Sequence, residues 1–68
     1  MSPEHETTRR RMAEISAQLD SISSTLDELS FDVLREASEA HRSRPEIDRI
    51  LVQARRAVEK AARLLEGR

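Results

Sequence analysis

The sequence predicts an all-α protein: an antiparallel helical hairpin, long helix 1 and shorter helix 2, dimerising into a four-helix bundle. Three observations carry this reading. One Gly and two Pro in 68 residues leave too little turn chemistry for a multi-stranded β-protein. Charged residues make up 37% of the chain, beside many Ala and Leu, a composition that favours helices. Apolar residues also recur at helical spacing on both sides of a break before Pro45.

Helix 1 is expected over about residues 3–40. Ser2 can cap it, Pro3 suits the first turn, and Glu4 and Glu6 favour the positive end of the helix dipole. No Gly or Pro follows until Pro45. The link is expected at about 41–44 and helix 2 at about 45–66, the whole chain forming a single helical domain. Ser43 and Glu46 have the spacing of a capping box, and Pro45 biases Arg44 away from helix. Gly67 stands where a helix-ending residue belongs. An alternative three-helix arrangement breaks near Ser30, which could cap a new start with Asp32 in the following turn.

The apolar pattern of helix 1 is a heptad. Met12, Ile15, Leu19, Ile22, Leu26, Leu29 and Val33 follow spacings of 3, 4, 3, 4, 3 and 4, with position a at 12, 19, 26 and 33. A period of 3.5 implies left-handed supercoiling against another helix. The first six of these residues are the candidate oligomer interface. Position e holds Ser16, Ser23 and Ser30; small residues beside a seam let a neighbouring backbone approach, which favours a bundle over a simple two-stranded zipper. Helix 2 carries Ile47, Leu51, Ala54, Val58, Ala61 and Leu65 on one line, with Ile50, Ala57 and Leu64 beside it. Together they cover an arc of roughly 160° at 3.6 residues per turn. A face that wide predicts two neighbouring helices.

A short link makes the helices antiparallel. Folding back about residues 42–43 places Ile47 near Ser38, Leu51 near Leu34 and Leu65 near Asp20. Met12 and Ile15 then fall near or past the end of helix 2, so the seam outruns its partner within the chain. Size argues the same way. A chain this short buries only about 60% of its unfolded surface, and it has no Cys to staple it. A homodimer is therefore the expected state, with another helical protein as a second candidate partner. The layout is similar to the small dimeric RNA-binding hairpins of the Rop type, in architecture alone; no motif carries a function across.

Charge divides along the chain. Residues 1–40 hold nine acids and four bases, and residues 41–68 hold four acids and eight bases. Complementarity between the helices is the first reading. Exposed pairs of this kind select partners more than they stabilise. The rival reading is a small nucleic-acid-binding regulator using the Arg-rich second half, with Arg49, Arg55, Arg56, Lys60 and Arg63 as the contacts. The slight net negative charge, the interspersed acids and the lack of aromatic stacking platforms place it second.

Signatures of other chemistry are missing. There is no Gly-rich phosphate loop and no Cys, and the two His stand alone. The Glu-x-x-His pairing of di-iron bundles fails, since Ser2 and Ser38 stand three residues before His5 and His41. Glu36, Glu39 and His41 make a poor ligand set beside a link. Acid pairs such as Asp27 and Glu28 are expected to face water, which makes them poor candidates for acid–base catalysis. No enzyme activity, catalytic residue, cofactor or metal is expected. No apolar run approaches a membrane span, and the start MSPEHETTRRR lacks the apolar core of a secretory signal. The expectation is a non-enzymatic interaction or accessory module in the cytoplasm, with no membrane partner.

Overall fold

The computed structural model describes residues 3–39 and 45–67. It contains two helices, α1 (Pro3–Glu39) and α2 (Pro45–Glu66), packed against each other as a hairpin. The expected caps Ser2 and Ser43, the link residues 41–44 and the His41 ligand idea lie outside the described residues. Helix α1 has 37 residues and α2 has 22. At 1.5 Å per residue these are rods of about 55 and 33 Å. The molecule measures 58 × 15 × 13 Å, so α1 alone sets its length.

Local chemistry accounts for the ends. Pro45 starts α2 with Glu46 and Asp48 in the first turn and Arg63 in the last, each charge matching the dipole end it occupies. Gly67 closes the helix at φ 79°, and its N–H donates to the Leu64 carbonyl at 3.3 Å. That left-handed backbone suits Gly and strains any residue with a Cβ.

Helix α1 is continuous, and the alternative break near Ser30 does not occur. The Ser30 hydroxyl donates to the Leu26 carbonyl one turn back, at 3.0 Å. Thr25 does the same to Ser21 at 3.1 Å. A hydroxyl satisfied by its own preceding turn does not cap a new helix.

The packing line on α1 runs along positions a and e. Met12, Ser16, Leu19, Ser23, Leu26, Ser30, Val33 and Ala37 are its buried or half-buried residues. They meet Leu51, Ala54, Val58, Ala61, Ala62 and Leu65 of α2. Among the described residues, the buried apolar side chains are Leu51 and Ala62, and the most enclosed side chain is Ser16. The Ser16 hydroxyl donates to the Ala62 carbonyl at 2.8 Å. Such a bond requires two helix backbones to come close, which Ser and Ala permit.

The register corrects one expectation. Ser23 reaches Glu59 and Asp27 reaches Arg55. Leu65 shares a groove with Met12 rather than standing near Asp20. The Ser contacts mark the pairing. Within the hairpin, α1 covers only part of the broad apolar face of α2 and leaves Ile50 and Leu64 exposed.

Candidate functional site

Burial divides the candidate interface into two sets. Met12, Leu19 and Leu26 at position a turn toward α2 and are half-buried there. Ile15, Ile22 and Leu29 at position d lie one step round the helix and keep 44, 48 and 46% of their surface exposed. The evenness of these values along fourteen residues (roughly two heptads) marks a continuous stripe, not a frayed end.

On α2 the exposed counterparts are Ile50, Ala57 and Leu64, again one heptad apart. The handedness of the two antiparallel helices places both stripes on the same side of the hairpin. The opposite side is marked by the Asp27–Arg55 pair. It also carries a shorter apolar patch of Phe31, Leu34 and Val52 toward the link. One side is thus apolar along most of the paired length, and the other is interrupted by an ionic cluster.

That cluster places Arg55 differently from the sequence expectation. Arg55 is not an outward base: its Nη1 donates to Asp27 Oδ1, and its Nε lies 3.7 Å from Glu59 Oε1. The Ser23 hydroxyl donates to the same Glu59 oxygen at 3.4 Å. The Asp27 hydrogen bond, then its charge, raises the Arg55 pKa above its ordinary value; burial opposes and Glu59 adds a little. Arg55 is therefore committed to joining α1 and α2. It reaches across because its long stem can lie along the edge of the seam.

The other four candidate nucleic-acid contacts are exposed. Arg49, Arg56 and Arg63 repeat every seven residues, and Lys60 stands beside them. They share the outer face of α2, away from α1.

At the open end, where α1 outruns α2, a groove of about 640 Å³ runs between Met12 and Leu65. It is the space left where the shorter helix stops, and Gly67 contributes to its wall. Among the described residues, no three or more His, Asp or Glu side chains come together as a metal would need. No described helix is long and apolar enough to cross a membrane. The chain matches no family model, no curated protein and no solved structure.

The accessible surface expresses the same thinness. The hairpin exposes 5736 Å², whereas a compact monomer of 7.8 kDa exposes about 4,400 Å². The radius of gyration is 16.5 Å, against about 11 Å for a compact domain of this length.

Proposed function

We propose that this chain is a non-enzymatic helical interaction module that acts through self-association and helix–helix contact. The observation that carries the reading is the excess surface. It amounts to roughly 1,300 Å² beyond a compact monomer, comparable to or above what one partner gives to a stable interface. An apolar stripe on each helix lies on one side of that surface. The second copy supplies burial that the thin seam between α1 and α2 does not.

Sedimentation equilibrium at micromolar concentration tests this. The expected mass is twice that of the chain, and the melting temperature should rise with concentration, because association stabilises by mass action. A fully folded monomer whose melting is independent of concentration overturns the proposal.

The exposed Arg49, Arg56, Arg63 and Lys60 favour one second reading, a nucleic-acid-binding regulator. It ranks below the first because Arg55 is already paired and Asp48, Glu59 and Glu66 flank the stripe. A phosphate-binding stripe would give affinity that falls steeply with salt, with a slope near −0.9 per phosphate on B-DNA. Arg56→Glu with Arg63→Glu would then remove binding and leave the oligomer intact. Submicromolar binding at about 0.15 M salt that this double variant abolishes would reverse the ranking.

A further inference from the structure

We infer that two copies associate α1 against α1, antiparallel, about a two-fold axis passing at Ile22. This rests on the self-association reading and adds its geometry. The uncovered line of α1 runs Arg11, Ile15, Gln18, Ile22, Thr25, Leu29 and Asp32, with spacings of 4, 3, 4, 3, 4 and 3. All seven are exposed. Read backwards, the line keeps its chemistry: a charged end, alternating apolar and polar residues, and an oppositely charged end.

Placing a second α1 antiparallel on this line sets Ile22 against the partner's Ile22 and Ile15 against the partner's Leu29. Gln18 meets the partner's Thr25, and Arg11 meets the partner's Asp32. Glu36, one turn beyond Asp32, adds to the acidic end. In the hairpin alone Asp32 accepts from Arg35 at 2.6 Å, with both side chains well exposed. An exposed pair of that kind is readily shared with or exchanged for the partner's Arg11.

The second helices fit the same rotation. The Ser16–Ala62 bond and the groove that Met12 and Ala13 share with Leu64 set Leu64 alongside Ile15, and heptad steps then put Ala57 alongside Ile22 and Ile50 alongside Leu29. An axis at Ile22 that exchanges Ile15 with Leu29 therefore lays Leu64 over the partner's Ile50, twice per dimer, with the two small Ala57 side chains meeting at the axis. The alternatives carry penalties. A parallel α1 pair stacks Arg11 on the partner's Arg11 and Asp32 on the partner's Asp32. Laying α1 on the partner's α2 puts both links at one end and brings Glu36 and Glu39 toward the partner's Glu46, like against like.

Single cysteines test the geometry, since the chain has no Cys of its own. A disulfide needs Cα atoms within about 7 Å, and packed helix axes lie about 8–10 Å apart. Only a residue at the axis can bond to its own copy. Ile22→Cys should cross-link to dimer under mild oxidation. Ile15→Cys should not, because its copy lies about 20 Å along the helix; Ile15→Cys with Leu29→Cys should cross-link again. Arg11→Glu or Asp32→Lys alone should weaken association about five-fold, and together they should restore it. A sedimenting dimer in which Ile22→Cys fails to cross-link overturns this geometry and leaves the self-association reading standing. Two charge variants whose losses simply add also overturn it. A folded monomer at every concentration overturns both.

Discussion

The two long sides of α1 carry similar apolar side chains and differ in what stands between them. On the covered side, Ser16, Ser23 and Ser30 alternate with Met12, Leu19, Leu26 and Val33. On the bare side, Gln18 and Thr25 alternate with Ile15, Ile22 and Leu29. A Ser lets the neighbouring backbone come in close enough for Ser16 to reach a main-chain carbonyl of α2. A Gln or a β-branched Thr holds a neighbour further out. The hairpin closes on the side where close approach is possible and leaves the other uncovered. The intervening small residues, more than the apolar ones, decide which half of a heptad seam is used inside the chain.

The largest test of that distinction substitutes an acid on each side. Leu19→Asp places a carboxylate against α2 and should cost about 3 kcal/mol or more, from lost burial and the added polar group. For a chain this thinly cored, that removes helical circular dichroism at every protein concentration. Ile22→Asp stands on the bare side, where a lone hairpin tolerates it. Its expected effect is loss of the concentration dependence of melting, with residual helicity equal to that of the isolated hairpin. Wild-type melting in Ile22→Asp at all concentrations would show that nothing covers this side.

The next test sharpens the role of the small residues. Ser16 is fully enclosed against Ala62. Ser16→Leu has no space to fill, and overpacking of this kind costs about 1–3 kcal/mol. Ser16→Ala keeps the close approach and loses only the hydroxyl bond, about 1 kcal/mol, partly offset by the better helix propensity of Ala. Chemical denaturation of the two variants should therefore separate them clearly. Equal midpoints would mean that close approach at residue 16 does not set the hairpin geometry.

Much of this architecture is legible in the residues. Pro45 and Gly67 act through their own backbone chemistry, so the bounds of α2 follow from local rules. The heptad of α1 is equally plain, because apolar spacing is a property of one helix. What it cannot display is which of two adjacent lines meets α2. That depends on a second helix and on its register, which the Ser16 and Ser23 contacts mark here. Arg55 escaped for a related reason. A wheel puts it beside the packing line, four residues after Leu51 and three before Val58, but only the stem's reach carries the guanidinium across to Asp27. The long reach of Arg is invisible to a pattern that counts only Cα positions.

The smallest expected effect concerns Ser30, and there the sign matters more than the size. In a continuous α1 its hydroxyl only bonds back to Leu26, an interaction that slightly disfavours helix. Ser30→Ala should then stabilise by about 0.5 kcal/mol through helix propensity. For a domain of this size that raises the melting temperature by roughly 2–4 °C. If Ser30 instead capped a separate helix, the same substitution would remove the cap and cost about 1 kcal/mol. The two arrangements thus predict shifts of opposite direction from one variant. Ser30 sits on the covered line beside α2, and Ala is smaller than Ser, so packing should add little strain to confuse the result. A melting temperature that falls on Ser30→Ala would break α1 in two and, with it, the single bare line from Arg11 to Asp32.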